Sequence, residues 1–303
     1  MLRTELHCHN VYSNGHVGYL EPPFDSNVTI NEQLEKASKS KLDILFVTNH
    51  NTLDGFKQIT EYKNNHKNFL NLKIYPAVEI TTDKEAHVLV YGLHEEIKSN
   101  QSIDEIIDAA KSQDAVTIAP HPFSLVDALR NDSIKCDLFE VFNSSNVDIF
   151  SNKKAEIFAK ENNLLTTAGS DSHIASTIGR STNIIDAQNN LDDVLYAMKK
   201  GKISIEKTEY VTHSEVLEHI RYKIENSKKY IDQYVKEFYP KYSWLFSMMY
   251  KSYMLTKKSI IWDVTFKIAL FGLRRISHKI NFEGYDPYAF RTRDIPTITK
   301  MLF

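Results

Sequence analysis

Six histidines and two carboxylates recur at matching places along the first part of the chain. His7 and His9 in HCH, His50 in TNHNT, Glu79 in VEI, His121 in APHPF, and Asp171 and His173 in GSDSH each follow or close a short apolar run, and His87 opens another. Alternate residues of an extended chain share a side, so His7 and His9 can chelate one cation while Cys8 points away. A single HxH pair is weak evidence, because an isolated histidine is commonly an ordinary surface or core residue. Eight such groups at corresponding ends of successive runs need another explanation, and a metal site supplies it. Imidazole and carboxylate without thiolate suit zinc, manganese or iron. The set is too rich for one tetrahedral cation, so two or three divalent ions sharing Glu79 and Asp171 are expected. Adjacent cations suit phosphate esters, because they polarise phosphoryl oxygens, acidify a bound water and stabilise the leaving oxygen.

For these side chains to meet, the apolar runs must be strands of one sheet that opens onto a single face. Candidate strands are 5–8, 43–48, 73–80, 87–93, 115–119, 138–142 and 164–169. Helix-like segments lie between them. TINEQLEKASKS has Thr29 or Asn31 as cap, SIDEIIDAAKSQ carries the capping box Ser102 and Glu105, and KKAEIFAKENN and LDDVLYAMKKG follow. This alternation predicts an α/β fold with a mainly parallel sheet, and about seven strands suit an incomplete barrel. After Ser204 the pattern turns helical: one long segment stops before Pro240, two more run around WLFSMMYKSYM and SIIWDVTFKIALFGLRRI, and the tail has no clear period. GSDSH lacks a strand-to-helix nucleophile elbow, so Ser170 and Ser172 are not read as nucleophiles.

Composition agrees with a globular protein: 303 residues, 42% hydrophobic and 25% charged, with no uncharged apolar run of membrane-spanning length. The N-terminal residues carry no basic region, apolar core or cleavage site, so a cytoplasmic location is expected. Cys8 and Cys136 cannot build a disulfide framework and read as small buried hydrophobes. The net charge of -2 conceals an asymmetry. Residues 1–204 carry -8 and nine of the 12 histidines; residues 205–303 carry +6 and 19 of the 34 aromatics. Two regions with different tasks are expected, a catalytic barrel over 1–204 and a basic, aromatic-rich helical region over 205–303.

The order HxH, TxHxT, Glu, His, PHP, GSDxH resembles the PHP superfamily, named for its polymerase-associated and histidinol phosphatase members, over about residues 3 to 204. The resemblance implies a distorted seven-stranded TIM-like β/α barrel with a helical extension, and a metal-dependent phosphoric ester hydrolase with a three-metal site on the C-terminal face. By motif, His7, His9, Glu79 and Asp171 would hold the first metal, Glu79, His87 and His121 the second, and His50 and His173 the third. Glu79 and Asp171 would be the catalytic bridges. The family's first motif commonly reads HxHSxxSDG, but this chain reads HCHNVYSNG, with neutral Asn14 at the Asp position. His16, two residues on, is the expected replacement, against the alternative of a plain loop histidine. Asn49 stands where TDH is usual, so the third metal is expected to bind weakly. Arg180 could clamp a substrate phosphate through two parallel hydrogen bonds, against the alternative of a solvated arginine. His66 and His94 read as surface residues, and Asp54 as the start of a helix.

The function this implies is hydrolysis of a phosphate ester, on a nucleotide or a nucleic-acid end, by a metal-activated hydroxide. The alternatives are a small-metabolite phosphatase of histidinol phosphatase type, or a degenerate scaffold or regulatory module. A metallo-amidohydrolase would need a bridging lysine, and none stands at a matching strand end. The helical region reads as a cap buried through Trp244, Trp262 and Phe266, or as a contact for a polyanion or membrane surface. Lys251, Lys257, Lys258, Asp263 and Lys267 forbid a span. On the docking reading, the barrel is expected to keep its site when residues 210–303 are removed.

Overall fold

The computed structural model describes residues 1–17, 22–257, 259–292 and 294–303; Lys258 lies outside them. Six strands fall on the expected runs, β2 Ile44–Val47, β3 Lys73–Thr81, β4 His87–Tyr91, β5 Val116–Ala119, β6 Leu138–Asn143 and β7 Thr166–Gly169, whereas the first, β1 Leu2–Glu5, lies three residues before the expected 5–8 and shares only Glu5 with it. Two more, β8 Thr182–Ile185 and β9 Ile203–Lys207, bring the sheet to nine strands rather than seven, in the order β7-β6-β5-β4-β3-β2-β1-β8-β9. Both are short and carry polar residues, which hid them in the sequence.

The sheet is more mixed than expected. β4 pairs antiparallel with both β3 and β5, and β8 runs antiparallel to β1 and β9. Only Thr82–Ala86 connects β3 to β4, too short for a parallel crossover. The reversal helps the site: His87 opens β4 opposite Thr81, which closes β3. A residue that begins an antiparallel strand thereby shares a rim with residues that end parallel ones.

The sheet curls until β7 reaches β8, and Asn183 joins the two. Its carboxamide accepts from Ala168 N (3.0 Å) and donates to Ala168 O (2.7 Å), replacing the missing backbone ladder. Inside the curl lie Leu6, Ile44, Phe46, Leu89, Tyr91, Val116, Ile118 and Ile185, packed with Val194 and Met198 of α5 (Leu191–Lys199). Around the outside stand α1 (Ile30–Lys39), α2 (Asp54–Asn64), α3 (Ile103–Lys111) and α4 (Phe150–Asn162). Thr29 with Glu32, and Ser102 with Glu105, form reciprocal capping boxes. Asp54 opens α2, as expected.

The segment read as one helix up to Pro240 is two, α6 (His213–Asn226) and α7 (Lys228–Phe238), broken at buried Ser227. Asn and Ser compete for backbone hydrogen bonds and weaken the helix there. α8 (Ser243–Leu255) and α9 (Ile260–Phe282) follow. The tail contains α10 (Ile295–Leu302), capped by Asp294 and carrying a proline in its first turn.

Asn183 is fully buried, so Asn183→Ala would leave two backbone groups of Ala168 without partners in the core. The expected loss of unfolding free energy is about 2–4 kcal/mol, read by urea titration; a loss below about 1 kcal/mol would show that the amide does not close the barrel.

Candidate metal centre

The barrel rim is assembled by backbone bonds between strand ends. Beyond β1, Asp171 N donates to His7 O (2.7 Å) and His9 N to Ser172 O (2.9 Å), so the HCH and GSDSH segments are tied side by side. Thr48 N donates to Cys8 O (2.9 Å), which fastens the end of β2 to the same segment. Cys8 points outward into the apolar layer under α1, leaving His7 and His9 to face inward as the alternation predicts. Gly169 is required here, because a Cβ would overlap the Glu140 carboxylate and stand 2.7 Å from His7 Cβ. Two of the inward residues hold left-handed backbones, Asp171 (φ 51°) and His121 (φ 28°). That strain is kept where side chains must be aimed.

Eight of the nine residues expected to bind metal converge: His7, His9, His50, Glu79, His87, His121, Asp171 and His173. Glu79 is at their centre. Its Oε2 faces His7 Nε2 (3.4 Å), His9 Nε2 (3.2 Å) and His50 Nδ1 (3.5 Å), and its Oε1 faces His87 Nδ1 and His121 Nε2, both at 3.0 Å. Asp171 Oδ1 completes the first group, 3.4 Å from His7 Nε2 and 3.3 Å from His9 Nε2. A tetrahedral cation with bonds of about 2.1 Å sets donor separations of roughly 3.4 Å. The four imidazole-to-carboxylate separations of His7 and His9 with Glu79 and Asp171, from 3.2 to 3.4 Å, fit that edge length. Asp25 Oδ2 and His50 Nδ1 are buried without a hydrogen-bond partner among the described residues, as expected of atoms reserved for a cation. The donor set therefore fits divalent metals.

The expected replacement ligand is corrected. His16 is exposed and stays outside every group of potential ligands; only its backbone is used, its carbonyl accepting from Asn51 Nδ2 (2.6 Å). The carboxylate that faces His50 and His173 is Asp25, whose Oδ1 lies 3.1 Å from His173 Nε2 and whose Oδ2 lies 3.8 Å from both His50 Nε2 and His9 Nδ1. Asn14 holds it there. The Asn14 carboxamide accepts from Asp25 N (2.6 Å) and Ser26 N (3.0 Å) and donates to Ser26 O and Tyr222 Oη, both at 3.0 Å. A neutral amide at the motif's Asp position anchors a loop that brings in a carboxylate eleven residues later. Asn49 likewise pairs with Asn10 amide to amide (2.7 Å) rather than facing a metal.

Two further acids escaped the sequence reading. Asp127 Oδ1 lies 3.3 Å from His121 Nδ1 and its Oδ2 lies 3.9 Å from His87 Nδ1. Glu140 accepts from His7 Nδ1 (3.1 Å), His121 N (2.8 Å) and Asn143 Nδ2 (2.9 Å), which leaves the His7 Nε2 lone pair aimed inward. Neither belongs to a histidine-rich motif, although Glu140 in LFEVF is a charge inside an apolar strand and carried that signal.

Electrostatics reflect the crowding. Burial alone would raise the carboxyls of Glu79, Asp25 and Asp171, but the surrounding imidazoles hold all three well below the usual range. Burial lowers His50 to about 4, in spite of Glu79 and Asp25, so the ring is neutral at neutral pH and one of its two nitrogens has a free lone pair.

Arg180, expected as a phosphate clamp, is instead taken up by two glutamates. It grips α6 and the segment before it, bonding both Glu215 oxygens (2.7 and 2.8 Å) and Glu209 (2.5 Å). Among the described residues, the cation that faces Asp25 is Lys223 of α6, 3.8 Å from Asp25 Oδ1. His219, one turn earlier, stacks on His173 (4.6 Å between ring centres) and donates from Nε2 to Asp25 O (2.8 Å); burial lowers it to about 3. The helical region therefore helps form the centre, so removing residues 210–303 would dismantle the Asp25 side of it. His66 stacks on Tyr62 at the surface, and His94 is exposed.

With manganese or zinc supplied, Asp25→Asn is expected to lower bound metal by about one equivalent while His16→Ala leaves it unchanged. Asn14→Asp is expected to lower it too, because a carboxylate would face the Ser26 carbonyl that the amide now bonds. Elemental analysis of the purified variants reads both; full metal content in Asp25→Asn would remove Asp25 from the site.

Comparison with known proteins agrees with the fold. A family model described as PHP-associated matches residues 150–203. Uncharacterized protein MJ1587 of Methanocaldococcus jannaschii is 32% identical over 151 residues, 48% of this chain and 85% of that protein. PsfC from Pseudomonas syringae shares the fold at a TM-score of 0.52 and 17% identity, over 75% of this chain and all of PsfC. The lesion-specific endonuclease PfuEndoQ from Pyrococcus furiosus does so at 0.50 and 16%, over 67% of this chain and 57% of the endonuclease.

Proposed function

The chain belongs to the PHP superfamily, and from that premise we propose that it is a metal-dependent phosphoesterase acting on a phosphate ester of a nucleotide or a nucleic-acid end. The observation that carries the reading is the division of Glu79, one oxygen facing His7 and His9 and the other facing His87 and His121, which suits a carboxylate shared between adjacent cations. His7, His9, Glu79 and Asp171 would hold the first ion, Glu79, His87 and His121 the second with Asp127 beside them, and His50, His173 and Asp25 the third. Bound divalent cations would polarise the phosphoryl oxygens and acidify an attacking water.

The chain's own residues do the rest. Glu140 fixes the His7 ring so that one nitrogen faces inward. Lys223 places an ammonium 3.8 Å from Asp25 Oδ1, where its charge can add to the attraction for a phosphate oxygen that approaches the third group. His219, neutral and bonded to the Asp25 carbonyl, stiffens the loop. The case for a degenerate scaffold rested on the carboxylate missing at Asn14, and the position of Asp25 beside His50 and His173 speaks against it. A fold shared with an endonuclease whose complex holds a duplex with an abasic lesion supports nucleic acid among the substrates to try.

The test is a panel of mononucleotides, dinucleotides, 5′- and 3′-phosphorylated oligonucleotides and histidinol phosphate, each with manganese, zinc or iron. Turnover of the nucleotide substrates is expected, and His7→Ala or Asp171→Ala should abolish it and lower bound metal. Lys223→Met should raise KM about tenfold with a smaller change in kcat, as loss of one charged phosphate contact would. Turnover of histidinol phosphate alone would reassign the substrate to a small metabolite. Absence of hydrolysis across the panel with metal fully bound would overturn the phosphoesterase reading.

A further inference from the structure

α9 is fastened to the barrel near its C-terminus, and its N-terminal part is tied to α6 by the Arg221–Asp263 pair (2.6 Å). Near its C-terminus Ser277 Oγ donates to Asp148 (2.6 Å), Asn281 bonds Arg130 (3.2 Å) and the Phe123 carbonyl (3.3 Å), and Ile276 and Ile280 are buried. Its first three turns stand away from the barrel. Their inner face, with Trp262 and Phe266, lines an open apolar groove of about 760 Å³ shared with α7, α8 and α10. Their outer face is apolar as well: Ile260, Ile261, Val264, Ile268 and Phe271 are 50–75% exposed. Positions 260, 264, 268 and 271 form one stripe at helical spacing. On α8, Trp244, Met248 and Leu255 continue it, each at least 55% exposed. A soluble helix ordinarily keeps its outer face polar, so exposed apolar side chains on two successive helices mark a contact surface.

The charges beside this stripe have one sign. Residues 239–282 contain eight Lys and Arg and one acid, Asp263, which is already bound by Arg221 (2.6 Å). Lys251 and Lys267 are exposed on the same helices and make no ion pair among the described residues. No helix among the described residues is long and apolar enough to cross a membrane.

We propose that α8 and the first half of α9 dock on an anionic lipid bilayer, inserting the Trp244–Leu255 and Ile260–Phe271 side chains at the level of the headgroups while the lysines meet the lipid phosphates. A second copy of the chain would bring two strongly basic surfaces together. A nucleic acid would satisfy the lysines but leave the aliphatic residues in water. Only an anionic bilayer matches both the apolar stripe and the charge around it. This inference is independent of the reaction proposed above.

The test is cosedimentation of the full-length protein with phosphatidylcholine vesicles, with and without phosphatidylserine. Binding is expected only with phosphatidylserine, weakening as salt rises, and Ile261→Glu with Ile268→Glu should reduce it about tenfold or more. Both residues are exposed, so metal content and the circular dichroism spectrum should match the wild type and show that the variant is folded. Lack of binding to phosphatidylserine vesicles at low salt would overturn the proposal. So would equal binding by the double variant, or capture of single-stranded DNA that competes the vesicles away without loss in the variant.

Discussion

A buried carboxylate among five imidazoles is the arrangement on which the rest depends. Glu79 is 1% exposed and lies within 3.5 Å of nitrogens from His7, His9, His50, His87 and His121. Burying one ion without compensation costs several kcal/mol, and Glu79 shares its interior with Asp25 and Asp171. The fold tolerates three such acids in one place only if positive charge comes with them, from protonated imidazoles or from cations. His50, held near 4, cannot supply that charge at neutral pH, whereas His9 and His121 are raised to about 9 by the acids around them. Divalent ions would settle the balance with fewer protons and would leave the imidazoles around them as neutral ligands.

That requirement explains why so much of the site was legible in the sequence. A candidate ligand must stand at a fixed rim position, so it marks one end of an apolar run: His87 opens its strand, and His7, His9, His50, Glu79, His121, Asp171 and His173 close or follow theirs. The strands that carry them were legible for the same reason. What lies away from the rim was not. β8 and β9 add no ligand and have little apolar periodicity, and the break at Ser227 depends on how α7 folds back. Asp127 and Asp25 sit in loops, where no periodicity reports a direction.

Asn14 shows how a motif can mislead. An amide in place of the motif's Asp reads as a lost ligand and turns attention to the nearest imidazole, His16. Sequence distance was the wrong measure. Asn14 can both accept and donate, which a carboxylate cannot, and it uses both capacities to fold the chain back so that Asp25 enters the space. The charge is moved along the chain rather than removed.

The same logic joins the two regions that charge alone seemed to separate. A carboxylate delivered by a loop needs support from its far side, and α6 gives it: Tyr222 accepts from Asn14, His219 bonds the Asp25 backbone, and Lys223 faces its carboxylate. Arg180, gripping Glu215 at the start of α6, locks that helix to the segment following His173. The boundary at Ser204 therefore divides composition but not the site. The first helix of the basic region belongs to the metal centre, and the unpartnered apolar surface begins only at α8, after the chain has turned away from the barrel.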